Sequence, residues 1–306
     1  MEEGTAVKIA IPGGSGQVGH ILERHFHAQG HEVTVLSRTP PPAHVDLEGS
    51  DICINLAGRS VNCRYHEANR RSIYDSRVHT TRRLNEVIGG LKQPPRLWIN
   101  ASTATIYRHA LDRGMDEATG ELGGNEPGAP DTWNFSIDVA KAWEEAFFDG
   151  STPRTRKLAI RSAMTFSPDR GGVFDVFLGL VRRGLGGTQG SGDQFVSWIH
   201  DADFVRAIDL LIAREEFQGV VNLASPNPLP NREFMRALRE AWGARVALPA
   251  PAWMIEIGTW LMRTESELVL KSRRVVPGRL LDAGFTFVFP EWPAAARDLV
   301  SRWRVG

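Results

Sequence analysis

Cysteine, tyrosine and lysine are all scarce in this sequence of 306 residues, and each scarcity narrows what the chain can be. Cysteine occurs only as Cys53 and Cys63. Cys53 falls in an apolar run of strand length, so a disulfide framework is not expected and a reducing cytoplasm is the expected setting. Lysine occurs five times against thirty-one arginines, and tyrosine only at Tyr65, Tyr74 and Tyr107. Neither charge sign is in excess: 36 basic and 36 acidic residues give a net charge of zero. That balance lacks the electrostatic footprint of a general nucleic-acid or anionic-membrane binder. No run reaches ~18 uninterrupted apolar residues, so no membrane span is expected. The acidic opening "MEEGTAVKIAI" passes at once into a strand-length apolar run and does not read as a secretory signal.

What is present alternates. Short β-branched runs at "VKIAI" (7–11), "EVTVLSR" (32–38), "DICINLAG" (51–58), "RLWINAST" (96–103), "KLAIRSAMTF" (157–166) and "GVVNLAS" (219–225) read as buried strands. Helical spacing fills 18–29, roughly 66–90, about 135–149, the stretch "GVFDVFLGLVRRGL" and the end of "FVSWIHDADFVRAIDLLIA". The prolines of "TPPPAHVDLEGSD" forbid a long helix there and leave "HVDL" as a brief third strand. "FTFVFP" (285–290) is one further candidate strand in a mainly helical C-terminal part. This order predicts an α/β fold: a doubly wound, Rossmann-like parallel sheet with a smaller, mostly helical C-terminal lobe. Residues 1–166 with 196–225 are expected to form the dinucleotide-binding domain, and 167–195 with 226–306 the substrate-binding lobe.

The stretch "PGGSGQVG" follows the first strand and opens the first helix. Gly14, Gly16 and Gly19 fit G-x-G-x-x-G, and Gly13, Gly16 and Gly19 fit G-x-x-G-x-x-G. Either spacing lets backbone amides and a helix N-terminus approach a pyrophosphate, which makes Gly13, Gly14, Ser15, Gly16, Gln17, Val18 and Gly19 the candidate turn. The next strand ends "VLSR" with no acid to hold a ribose hydroxyl pair. Arg38 stands where the 2′-phosphate of NADP(H) would lie, with Ser37 beside it, so NADP(H) is the expected cofactor.

Taken together these segments resemble the extended branch of the short-chain dehydrogenase/reductase superfamily. Within it the chain is similar to the sugar-nucleotide epimerase/dehydratase-like "epimerase family" of NADP-binding proteins, some of which carry a cell-division-inhibitor label. The resemblance extends over "DSRVHTTRRL", "FVSWIHDADFVRAI", "NLASPNPLPNREFMRAL" and "RRVVPGRLLDAGFTFVFPEW", almost the whole chain. It implies that Asp46 and Leu47 flank the adenine and that Leu56, Ala57 and Gly58 form the adenosine-side strand end. "ASTATIY" resembles the active-site Ser/Thr run and implies Thr103 as the residue that polarises a substrate oxygen. Lys141, in "NFSIDVAKAWE", matches the lysine that holds the nicotinamide ribose. The catalytic tyrosine of Tyr-x-x-x-Lys is missing: Ile137 stands four residues before Lys141, and none of the three tyrosines precedes a lysine by four. Isoleucine has no proton to give, so Tyr107 or a bound water is left as donor.

Other candidates have bland readings beside the sharp ones. His109 lies in a polar loop and is expected in solvent. Asp138 reads as an i,i+3 partner of Lys141. His200, Asp201 and Asp203 suggest a metal set but fit helix-cap and packing roles better, and no metal is expected. His20, His27 and His31 read as surface residues. Arg182 and Arg183, before the glycine-rich "GGTQGSGDQ", either grip an anionic group of the substrate beneath a lid or form an exposed basic helix end. Trp253 and Trp260 line an apolar pocket, bury a dimer face or cover the core. The arginines Arg70, Arg71, Arg77, Arg82 and Arg83 read as a solvated helix face. The expected partner is a small-molecule substrate, with monomer and homodimer both open. Three functions remain: a hydride-transfer enzyme with a nonstandard proton donor, a non-catalytic NADP(H)-binding sensor, or a binding module that uses the fold as scaffold with the cofactor structural.

Overall fold

The computed structural model describes residues 6–37, 43–124, 126–127, 129–255 and 265–306. Its strands, in chain order, are β1 (Lys8–Pro12), β2 (Glu32–Leu36), β3 (Ile52–Asn55), β4 (Leu97–Thr103), β5 (Arg156–Ser162), β6 (Met164–Phe166), β7 (Phe195–Val196), β8 (Trp198–His200), β9 (Gly219–Leu223) and β10 (Leu229–Pro230). Six of them form one parallel sheet in the order β2-β1-β3-β4-β5-β9. Successive side chains on a strand point to opposite faces, and both faces of this sheet are covered. Ile9, Ile11, Ile52, Ile54, Leu97, Ile99, Leu158 and Ile160 meet α1 (Gln17–Ala28) and α6 (Asp201–Ala213) through Leu22, Phe26, Phe204 and Leu211. The alternating positions are Ala10, Cys53, Trp98 and Ala159. They face Leu84, Val87 and Ile88 of α3 (Glu67–Gly90) and Phe147 of α4 (Asp131–Phe148). Small side chains there admit one tryptophan, Trp98, which packs edge-on against Phe147.

Three expectations change in detail. "HVDL" is not a strand but one helical turn, α2 (His44–Leu47). The Asp46 carboxylate accepts the Ala43 N–H at 2.8 Å, a local bond that favours the turn, and Leu47 is fully buried with Leu84 and Val87. The run 157–166 divides at Ala163: β5 stays in the main sheet, whereas β6 pairs in parallel with β8. "FTFVFP" forms no strand, because its amides are claimed elsewhere. Val288 and Phe289 donate to the buried Asp203 carboxylate at 2.7 and 2.8 Å, and Phe289 stacks on His200 at 4.0 Å.

A second apolar cluster lies beyond Ala163. Helices α5 (Val173–Arg182) and α7 (Asn231–Trp242) and the C-terminal helix Trp292–Val305 pack Phe174, Leu178, Phe234, Leu238, Leu299 and Trp303 around Phe166 and Trp198. Trp292 stacks on Phe234 with ring centres 4.3 Å apart and donates its indole N–H to the Phe234 carbonyl at 3.0 Å. None of the described helices is long and apolar enough to cross a membrane.

Asp203 is the tether between α6 and residues 285–290. Asp203→Ala leaves two backbone N–H groups without their acceptor and should cost about 2–4 kcal/mol. Urea unfolding reads the loss, and hydrogen exchange should quicken selectively at Val288 and Phe289.

Candidate active site

The glycine turn is built by exclusion. Gly13 has φ +76°, and a Cβ there would lie 2.4 Å from the Ala57 Cα. Gly19 is tighter still, since its Cβ would meet the Gly14 carbonyl oxygen at 1.9 Å; a Cβ on Gly14 would sit 2.9 Å from Ile11 Cγ2. These glycines let the turn, the first helix and the end of β3 close on one another. Gly16 is different. A Cβ there would meet nothing within 4 Å. Gly16 is also the residue before α1, and no side chain caps the first amides of that helix. The turn therefore presents unsatisfied N–H groups to open space, the condition for holding an anion. Ser15 is exposed beside it. Gln17 turns the other way: its amide donates to Ser167 Oγ at 2.9 Å and accepts from the Val173 N–H at 3.4 Å, pinning the start of α5 to the turn. Val18 packs into the core with Leu56.

Beyond β4 lies a cavity of about 250 Å³, partly open to solvent. Thr103 opens on it from the strand end, with its Oγ1 accepting the Thr105 N–H. Helix α4 contributes Phe135, Ser136, Val139 and Trp143, and α3 contributes Ile73 and Arg77. The far wall comes from the C-terminal part, through Glu267 and Arg273. Ser136 donates to Glu267 Oε2 at 2.5 Å, and Tyr65 OH lies 3.5 Å from Ser136 Oγ. Arg273 donates to Thr105 Oγ1 at 3.1 Å and pairs with Glu267 at 3.5 Å. Burial pushes the Glu267 carboxyl above the usual carboxylate range and the Tyr65 phenol up to about 12. Lys271, also buried, donates to the Thr105 carbonyl at 2.8 Å; burial first, and the Arg273 charge second, bring its pKa down to about 7.

Residues 9–130 match the NAD dependent epimerase/dehydratase family, and residues 250–299 match a domain of unknown function, DUF1731. The human epimerase family protein SDR39U1 is 30% identical over 307 residues, covering 96% of this chain and 100% of that protein. The chain belongs to the epimerase family. Another relative, epimerase family protein YfhF of Bacillus subtilis, is 25% identical over 96% of this chain and 98% of its own. The crystal structure of human SDR39U1 (isoform 2) with NADPH aligns at a TM-score of 0.84 and 29% identity, covering 96% of this chain and 99% of that one.

Within this epimerase-family chain the expected residues divide. Gly58 approaches Arg77, whose guanidinium would be 3.3 Å from a Cβ on Gly58, and Ala57 donates its N–H to Asn55 at 3.1 Å. Arg77 is not on a solvated face: it lies over the Trp143 ring at 5.2 Å and reaches from the strand end to the cavity. Ser37 is exposed at the end of β2, and Arg38 lies outside the described residues, as does Trp260. Asp46 and Leu47 occupy the helical turn, and the full burial of Leu47 leaves none of its surface for an adenine. Lys141 donates to the Gly123 carbonyl at 2.6 Å and forms no ion pair with Asp138.

Tyr107 is a correction. Its ring is buried, and its hydroxyl donates to Asn222 Oδ1 at 2.9 Å while accepting from Arg161 Nη1 at 2.9 Å. Burial raises its pKa. It does not line the cavity with Thr103, so it joins β5 to β9 instead of facing a substrate. His109 is a second correction: it stacks on Trp133, accepts the Ser272 N–H at 3.2 Å, and burial lowers its pKa. His200 caps α6, and Asp201 pairs with Arg302 at 2.7 Å. Arg182 lies over Trp303 at 4.5 Å, and the loop after α5 is bonded to 248–250 through Gly187 and Gly190. Sequence reasoning missed Ser136, Glu267, Arg273 and Lys271, which meet only because a distant segment folds back. The signal available was weak: a lone Ser before Ile137, and four charged residues in "ELVLKSRR".

Lys271 makes a pH prediction. Its folded pKa, about 7, is below the ordinary 10.5, so between those values the unfolded chain binds more protons. Stability from this group is therefore least below pH 7 and rises toward pH 10.5. Urea midpoints should climb across that window in the wild type by more than in Lys271→Met, and the difference between the two curves isolates the group.

Proposed function

We propose that the chain binds NADP(H) across the C-terminal edge of its sheet and transfers hydride to or from a small molecule held in the cavity beside Thr103. One observation carries the cofactor reading: open space and uncapped helix amides at Gly16, in a turn whose other glycines, Gly13, Gly14 and Gly19, have no room for a Cβ. The NADPH found with the human relative supports it, as does the sequence "VLSR", which offers Arg38 and no acid. NADPH, when bound, supplies a hydride. The chain's own residues must orient the acceptor and manage a proton. Thr103 lines the cavity and is placed to hydrogen-bond a substrate oxygen. Ile137 is mute and Tyr107 is committed to Arg161 and Asn222. Ser136, next to Ile137 in sequence, instead offers a hydroxyl backed by Glu267. Ser136 can pass its hydroxyl proton to a substrate oxygen and recover one by way of Glu267, whose affinity for protons burial raises. Lys141, once it leaves the Gly123 carbonyl, would hold the nicotinamide ribose, the role that the family resemblance implies for it.

The sensor reading keeps one specific observation in its favour. Ile137 is buried against Gly123 and Gly124, whose added Cβ atoms would lie 2.7 and 3.3 Å from it, so the place of the usual tyrosine is filled by packing.

Thermal melts with NADPH and NADH test the cofactor. NADPH should stabilise the fold far more, and Arg38→Ala should erase most of the difference; equal, negligible shifts overturn the reading. Gly16→Val should leave the melting temperature of the free protein unchanged and weaken NADPH at least ~10-fold, because its side chain enters only ligand space. Gly19→Ala should instead lower the melting temperature without ligand, since it strikes backbone. For turnover, Glu267→Gln should retain NADPH binding and lose nicotinamide oxidation against responsive carbonyl compounds. Tight NADPH binding with silence across a broad carbonyl panel favours the sensor.

A further inference from the structure

The cavity beside Thr103 has a size and a lining that select a ligand class. About 250 Å³ is below the ~300–1,000 Å³ of sites for drug-sized ligands. An apolar cavity of ~150 Å³ holds benzene, so this one, which is partly open to solvent, has room for a substituted ring. Its walls are largely apolar and aromatic: Val61, Tyr65, Phe135, Val139 and Trp143. Tyr65 and Phe135 meet edge to face at 5.1 Å, leaving ring surfaces that favour a flat guest.

Its polar end is equally selective. A diphosphate needs cations whose charge is not already compensated. Arg273 is paired with Glu267 and donates to Thr105. Arg77 lies over Trp143 and donates to the Ile73 carbonyl at 3.2 Å. With Glu267 counted against them, the two arginines leave at most one net positive charge. Such an end accepts a neutral carbonyl or hydroxyl group, or a single carboxylate. Thr103 and Ser136 add hydroxyl-bearing side chains to the lining.

We infer that this cavity binds compact aromatic carbonyl compounds, or the matching alcohols, in preference to sugar nucleotides. The ring lies between Phe135 and Trp143, and the oxygen points to Thr103 and Ser136. The inference rests on the hydride-transfer reading for the word carbonyl, and on the cavity alone for the ring. The C-terminal segment completes the pocket, because Glu267 and Arg273 close its far wall and set its polarity.

Saturation-transfer NMR on the NADPH-saturated protein tests it with two probes, acetophenone and UDP-glucose. Acetophenone is expected to bind saturably and UDP-glucose not to displace it. Val139→Trp fills the cavity from α4 and should weaken acetophenone at least ~10-fold. Phe135→Ala, which removes a wall and strains nothing, should weaken it ~5-fold and serves if the larger variant does not fold. Displacement of acetophenone by UDP-glucose, absence of saturable acetophenone binding, or unchanged affinity in the folded variants overturns the inference. Should NADPH fail to bind, the cofactor reading falls separately, and the acetophenone titration of the cofactor-free protein still decides the pocket.

Discussion

The buried ion pair between Arg161 and Glu144 is the constraint on which the geometry of the site depends. Arg161 stands near the C-terminal end of β5 and reaches Glu144 of α4 through two bonds, at 2.8 and 2.7 Å, with both side chains largely withdrawn from water. Desolvating two charges is costly and is offset only by good geometry and further hydrogen bonds. Those bonds are present. Ser102 of β4 donates to Glu144 at 2.5 Å, and the remaining guanidinium nitrogen donates to Tyr107, which donates to Asn222 of β9. One network thus joins β4, β5, β9 and α4. It fixes the rotation of α4, and hence which of its residues face the cavity. Because Ser102 is held on one side of β4, its neighbour Thr103 is presented at the strand end.

A second constraint acts from a distance. Residues 265–276 fold back over the loop that follows β4. Lys271 bonds the Thr105 carbonyl, Ser272 donates to the Ala110 carbonyl at 2.5 Å, and Val276 donates its N–H to the Met115 carbonyl at 3.0 Å. Ser197 accepts the Val275 N–H and donates to the Arg273 carbonyl. The segment is therefore tied both to the loop from the sheet and to the strands that lead into α6. Glu267 and Arg273 reach the cavity because these ties hold their backbone. Burial of Lys271 is the cost of the arrangement, visible in its lowered pKa.

This division explains what the sequence could and could not tell. The strands and the glycine turn were legible because their signals are local: apolar runs of strand length, and glycines at a spacing that only a tight strand-to-helix turn requires. "HVDL" misled because four residues cannot reveal a period, and a side-chain bond from Asp46 to its own turn decided the matter. "FTFVFP" carries a strand's composition, but its amides had a stronger acceptor in Asp203, over eighty positions away. Tyr107 looked like a proton donor from its place after Thr103. Its partners, Arg161 and Asn222, lie 54 and 115 residues further along, beyond any pattern in the neighbourhood. The acidic wall of the cavity was illegible for the same reason.

The isoleucine at position 137 takes on a different meaning in this setting. A tyrosine lost from an otherwise unchanged site would leave a hole beside Lys141. Here Ile137 is buried, Gly123 and Gly124 close over it, and the Gly123 carbonyl engages the Lys141 ammonium. A larger ring at this position would have to displace that loop, so restoring the phenol alone would not restore the usual arrangement. Meanwhile the adjacent residue, Ser136, faces the neighbouring cavity and is joined to Glu267 from the C-terminal segment. One residue of offset along α4 is about 100° of rotation, enough to move the polar group from one side of the helix to the other. The hydrogen-bonding capacity removed at position 137 is thus present at position 136, in a pocket that did not need Tyr-x-x-x-Lys to be polar at one end.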